Sequence, residues 1–512
     1  MKKRMNEIVA FFLAVIGVYG FISLNALRDP LTKSHAAFEI LSVFVLVCLT
    51  LIWAKTIANL KAANASSLRR DILYALFPSL LFGVTMVIGV QLQVNGMTDS
   101  GFIAKSNLIA KGICLSSVVF PFVYWVITCL HKLMTKEPKS IQSPAWNVKH
   151  LFFIAWAVIL ICWVPVFLAF YPSIMAYDFH RQVGDAVRGF AFMNPHHPLI
   201  HSWLIWVALQ IGNLVHSNEI GMAFYTIFQM IILSAVLAYS IQLLYRLSNK
   251  KRVSVIVLLF YAIFPYISVF AVSATKDVLF GAFFLLFLLL YVDANFFPRT
   301  KRQKRLFAIA WIVCGIFMVM FRNNAIYAVC AFLVFVLIIK RKQSLRLCLL
   351  CLVVILGGKM GLEGIQFAIG TQLRGSGSEK YSVLIQQFAR VGYYHEAELD
   401  GETTWYLNHY VPKEFWQDYD PPLADTVKGP VAQYSYPTAW HGHMGEVLKF
   451  WWKLGLTYPN EYLDAFLMLT SGYWFLDDTT FYQVYDSGED HWAGALTTSS
   501  TSAYDFFEGI AT

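Results

Sequence analysis

Charge is what this 512-residue chain has least of. Only 14% of its residues are Asp, Glu, Lys or Arg, against about 25% in soluble globular proteins, and 58% are hydrophobic. That scarcity excludes a soluble globular chain and predicts a membrane protein. Disulfide chemistry is missing as well. The eight cysteines (Cys48, Cys114, Cys129, Cys162, Cys314, Cys330, Cys348 and Cys351) all lie in apolar runs and suggest no disulfide framework. No P-loop, GxSxG elbow, dinucleotide fingerprint or EF-hand loop occurs, which removes the phosphate-cradle and serine-hydrolase patterns. The net charge of +9 requires no nucleic acid, because basic residues of polytopic membrane proteins gather in cytoplasmic loops beside anionic lipid.

What the chain has is apolar length. Runs of about 20 apolar residues cross a hydrocarbon core as helices. Eleven such spans are expected, at 7–27, 38–60, 72–94, 108–131, 150–171, 219–245, 253–272, 277–297, 306–321, 325–340 and 346–369. The first lacks a clear small-residue cleavage site and reads as a retained span. The run 198–215 is also apolar, but carries His201, Gln210 and Asn213. As a helix lying at the outer interface, it leaves Lys2–Arg4, Lys55–Arg70, Lys132–Lys149, Arg246–Arg252, Arg299–Arg305 and Lys340–Arg346 on one side. Those clusters hold 24 of the 40 Lys and Arg, so that side is cytoplasmic.

The expected protein is therefore mainly α-helical, polytopic and in the plasma membrane, with a cytoplasmic N-terminus. It divides into a four-span region (1–134), a seven-span core (150–370) and an extracytoplasmic domain (371–512). Within that last part, 450–476 is aromatic and amphipathic enough to lie against the membrane. The topology sends three polar elements to the outer face: 171–201, the turn SATKD at 273–277 and the turn FRNN at 321–324.

The first of these crowds carboxylates, arginines and histidines between apolar runs, where charge is costly and marks function. A helix starting at Asp178 puts Arg181 and Asp185 on its own face at i+3 and i+7. An exposed carboxylate with polar partners can serve as a general base or hold a divalent ion; an ion-paired interfacial helix is the plainer alternative. His197 and His201 stand at i and i+4, a spacing that suits zinc. However, no Glu follows His197, and Pro198 starts the helix, which favours a helix start with histidines bonding ligand or backbone. Lys276-Asp277 fits either a dipole-stabilised helix start or a point charge for phosphate. Arg322 with Asn323 and Asn324 offers a fork and two amides for phosphate or sugar hydroxyls, or an interfacial anchor.

At these residues the chain resembles the GT-C superfamily of polytopic glycosyltransferases, in particular a bacterial branch of it. The resemblance rests on Tyr171-Pro172, Asp178, Gln182, His196-His197-Pro198 with His201, Lys276-Asp277, Arg322-Asn323, and Gln386-Gln387 with Arg390. It implies a GT-C-like core with interfacial helices in its first outer loop. It also implies a glycosyltransferase, inverting in mode, that moves a sugar from a polyprenyl-phosphate donor to a cell-envelope glycan or lipid acceptor. By the same resemblance Asp178 is the catalytic residue and the candidate ligand of a divalent metal, Mg or Mn. Arg181, Gln182, His196, His197, His201, Lys276, Asp277, Arg322 and Asn323 then bind substrate. Phe179 follows Asp178 where some relatives carry a second acidic residue. Two other readings are a lipid-linked sugar transporter and a zinc-dependent membrane hydrolase built on His197 and His201.

Overall fold

The computed structural model describes residues 2–28, 35–62, 65–96, 102–135, 147–175, 177–189, 192–195, 197–339, 344–370 and 377–476. Long apolar runs become helices because a chain without water must satisfy its own backbone groups. In order these are α1 (Lys2–Arg28), α2 (His35–Ala62), α3 (Ala65–Asn95), α4 (Phe102–Thr135), α5 (Val148–Ala169), α6 (Tyr177–Arg188) and α7 (Leu199–Leu214). There follow α8 (Asn218–Ser248), α9 (Lys251–Ile263), α10 (Pro265–Val272), α11 (Lys276–Phe296), α12 (Lys301–Phe321), α13 (Ala325–Ile339) and α14 (Ser344–Ile369). The last six are α15 (Ser382–His395), α16 (Gly401–Tyr410), α17 (Lys413–Trp416), α18 (Asp425–Gln433), α19 (Met444–Thr457) and α20 (Pro459–Trp474).

The protein is a mainly α-helical, multi-pass membrane protein. Among the described residues nine helices are long and apolar enough to cross a bilayer, and α9 with α10, bent by 53°, adds a tenth if read as one span. The expected span 325–340 corresponds to α13, whose 15 residues rise only about 22 Å against a hydrocarbon core of about 30 Å. Helix α7, with 16 residues, rises about 24 Å and is likewise short.

The chain folds as two compact units. One takes its described residues from Met1–Lys136 and Ser376–Tyr482, the other from Glu137–Gly375. In the first, α1–α4 pack around Ala14, Leu49, Trp53 and Phe120. Its C-terminal helices enclose a separate aromatic core of Phe388, Tyr410, Trp416, Trp440 and Phe450. Buried Arg390 ties these two parts together. Its Nη2 donates to the Gly96 carbonyl at the end of α3 (3.0 Å), while Nε reaches Glu461 Oε2 (2.7 Å). Gln387 bridges the same core, donating to the Tyr462 carbonyl and accepting from the Trp451 indole. The Gln-Gln-x-x-Arg element is thus part of this unit's interior.

In the second unit, α5, α8 and α9 share an apolar core through Ile159, Trp163, Leu237 and Ile241. Helices α7 and α8 form a tight hairpin. A Cβ on Gly221 would meet the Ala208 carbonyl oxygen at 2.2 Å, so only glycine permits this crossing. Ser217 caps α8 by accepting from the Ile220 N–H, and Thr300 with Gln303 forms a capping box on α12.

Candidate functional site at one end of the second unit

The site begins where α5 stops. Tyr171-Pro172 breaks the helix, and the next residues pair with the strand-like turn before α11. The Ile174 N–H donates to the Val272 carbonyl (3.1 Å), and the Ala274 N–H donates to the Ile174 carbonyl (2.9 Å). Ser173 Oγ donates to the same Val272 oxygen (2.9 Å), and Thr226 of α8 donates to the Pro172 carbonyl (2.8 Å). Two of the three polar elements expected on one face are therefore joined by backbone bonds.

The third element joins through charge. Arg322, directly after α12, pairs with Asp277 in the first turn of α11, and its guanidinium lies 5.6 Å from the Phe280 ring centre. Beneath them Ile200, Leu279, Met320 and Phe321 form one apolar cluster, so the starts of α7 and α11 and the end of α12 lie at the same end of the unit. Ile369, at the end of α14, packs there with Phe179, Val183 and Ala274. Asn323 is exposed and Lys276 is partly buried.

A buried polar chain runs through the middle of this end. Gln182 Nε2 donates to Ser202 Oγ (2.9 Å), and Gln182 Oε1 stands 3.0 Å from His201 Nδ1. His201 Nε2 is 2.7 Å from the Tyr225 hydroxyl, which donates to Gln229 Oε1 (3.0 Å). Gln229 Nε2 then donates to the carbonyls of Ala271 and Ser273, each at 2.8 Å. Gln182, His201, Ser202, Tyr225 and Gln229 are all almost fully buried. Buried polar groups are stable only when satisfied, and here each satisfies the next. The chain links α6, which carries Asp178, to the turn that precedes Lys276.

Sequence reasoning found Gln182 and His201 but missed Tyr225 and Gln229. The missed signal was a glutamine in an apolar span, since an intramembrane polar group marks a partner or a site. Gln182 and Tyr225 face the two ring nitrogens of His201. Among the described residues no three His, Cys, Asp or Glu side chains gather as a metal would need. His197 is buried near the start of α7, and Arg181 is exposed on α6. Asp178 falls in the first turn of α6, but its side chain lies outside the described residues, as does His196. Asp185, on the same helix, accepts from the Asn194 N–H (3.3 Å). Burial pushes its carboxyl up, against the opposing pull of that bond and of Arg188.

A protein-family profile described as a family of unknown function, DUF6020, matches residues 188–499, more than half of the chain. The chain belongs to the DUF6020 family. No curated protein and no solved structure matches it. The DUF6020 match begins at the last residue of α6. It takes in His201, Tyr225, Gln229, Lys276, Asp277 and Arg322, and leaves Asp178 and Gln182 upstream.

The same DUF6020 stretch holds a second polar cluster at the other end of α11. Asp293 is buried between Arg246 (3.0 Å) and Arg299 (2.7 Å), and Tyr239 donates to it. Seventeen residues separate it from Lys276, about 25 Å along the helix. Two well-paired arginines and a tyrosine make it a clamp between α8 and α11, distinct from the site.

Proposed function

We propose that this chain is an integral-membrane glycosyltransferase that moves a sugar from a polyprenyl-phosphate donor to a cell-envelope acceptor. The site then lies on the extracytoplasmic face, and the N-terminus in the cytoplasm. The observation that carries this reading is the convergence of α6, the 272–277 turn and Arg322 at one end of the second unit, joined by the Ile174–Ser273 bridge and the Arg322–Asp277 pair. Such a meeting of cation and carboxylate-bearing elements suits a transfer in which one group takes a proton and another receives negative charge.

In this reading the Asp178 carboxylate accepts the proton of an acceptor hydroxyl. That oxygen bonds to the anomeric carbon as the bond to the phosphate oxygen breaks, and polyprenyl phosphate leaves with the electron pair. Arg322, oriented by Asp277, and Lys276 meet the phosphate. Orientation and electrostatics supply most of the acceleration, because the leaving group needs little help.

The test is transfer from synthetic polyprenyl-phosphate sugars by the full chain in nanodiscs, with envelope glycans compared by mass spectrometry in cells with and without the gene. Asp178→Asn should abolish transfer while the protein still folds. Full activity in that variant removes the base role. Lipid-linked sugar flux across vesicles without transfer would replace the enzyme with a transporter.

A further inference from the structure

The C-terminal helices of the first unit carry a surface that the proposed transfer does not use. Helix α19 turns Val447, Phe450 and Leu454 into the aromatic core. Next to that face it exposes Leu448, Trp452 and Leu456, which are 45%, 64% and 68% accessible. At about 100° per residue these three fall within about 80° of arc, and Lys449 and Lys453 follow directly beside them. Both lysines are exposed. Helix α20 repeats the pattern: Leu463, Phe466 and Tyr473 are exposed within about 80° of arc, and Leu476 follows the helix end. The two helices touch where Gly455 lies against the Tyr462 ring.

The attachment of α20 supplies its depth. Its first turn is tied by Asn460 to Lys105, where the α4 span starts. Its far end packs Phe475 onto Gly89 of α3, where a Cβ would meet the ring at 2.3 Å. The α3 span has 28 residues, about 42 Å, and so extends about 6 Å beyond a 30 Å hydrocarbon core at each end. Gly89 lies six residues inside that end, about 9 Å, which is the level of the hydrocarbon boundary.

We propose that α19 and α20 form an in-plane hairpin seated in the lipid interface. Leu448, Trp452, Leu456, Phe466 and Tyr473 enter the acyl region, and Lys449 and Lys453 reach up to lipid phosphates. An exposed apolar arc bordered by lysines is the profile of an interfacial helix, with the lysine stems snorkelling to the headgroups. The competing partner of Lys453, Glu402, is 3.8 Å away with both side chains about two-thirds exposed, a contact that a lipid phosphate readily replaces. The occupant is the bilayer, because the same hairpin is bolted to a membrane span at bilayer depth.

The experiment uses the full chain reconstituted in phosphatidylcholine–phosphatidylglycerol vesicles that contain a phospholipid with a photoreactive diazirine on its acyl chain. After illumination, mass spectrometry maps the labelled peptides. Labels on 444–474 comparable in yield to those on α3 are expected. A Trp452→Glu, Leu456→Glu variant should lose at least about tenfold of the α19 label and keep the α3 label, which also reports that it folds. Labelling confined to the spans overturns the proposal. So does chemical crosslinking between two copies through Lys449 or Lys453, which would make the surface a dimer contact.

Discussion

The Tyr225 hydroxyl lies between His201 Nε2 and Gln229 Oε1, and the second contact fixes the direction of the first. Gln229 spends its amide nitrogen on two backbone carbonyls, so its oxygen faces the tyrosine and takes the phenolic proton. The hydroxyl can then only accept from the histidine. Nε2 of His201 therefore carries a proton.

That order makes Tyr225→Phe informative. The change leaves the Nε2–H of His201 and Oε1 of Gln229 without the hydroxyl in a buried place. Each orphaned group costs about 1–3 kcal/mol. A clear fall in thermal midpoint in detergent is expected, and Gln229→Leu, which also frees the 271 and 273 carbonyls, should fall at least as far. A Tyr225→Phe protein that melts with the wild type would show that the chain is not needed for the fold.

Asp277 and Arg322 should behave in the opposite way. Both side chains are more than a third exposed, so the pair contributes about 0–1 kcal/mol to stability. A double-mutant cycle on thermal unfolding should return a coupling in that range. Transfer activity should nevertheless fall in Arg322→Lys, because an ammonium keeps the charge but loses the planar fork. Unchanged transfer in Arg322→Lys would take the arginine out of phosphate binding.

Asp293 is the reverse case, where stability should change and chemistry should not. Arg299 beside it is 8% exposed, and removing the acid strands a buried cation at a cost of about 3–5 kcal/mol. Asp293→Ala should unfold at much lower temperature. At conditions where it stays folded, its KM for donor should match that of the wild type, since the cluster lies about 25 Å along α11 from Lys276. A changed KM with wild-type stability would contradict the assignment.

These outcomes also mark what was legible in the sequence. The stop at Tyr171-Pro172, the start of α11 at Lys276-Asp277 and the placement of Arg322 just past α12 could be read because prolines and charges act locally on helix ends. The common end of these elements followed from counting spans. The buried chain through Tyr225 and Gln229 did not, because these two come from a span read only as apolar and, beyond their own bond four residues apart, the partners lie 19 to 44 residues apart. Arg390 shows the same gap on a larger scale: its bond to the Gly96 carbonyl joins residues 294 positions apart. Local rules predict where a helix ends, not which distant carbonyl it meets.

His395 should give the first unit a pH-dependent contact. Its Nδ1 is 3.0 Å from Glu398 and its Nε2 is 3.2 Å from Glu461, the carboxylate that also holds Arg390. Burial pulls the imidazole down, but its hydrogen bonds to Glu398 and Glu461 outweigh this and leave its pKa raised. A group with a raised folded pKa contributes its stability fully below the unfolded value, about 6.5, and loses it as pH rises through the folded value. The difference in thermal midpoint between wild type and His395→Gln should therefore be largest near pH 6 or below and shrink as the solution becomes alkaline. A difference that grows with pH would mean that the histidine is neutral in the folded protein and that Glu461 serves Arg390 alone.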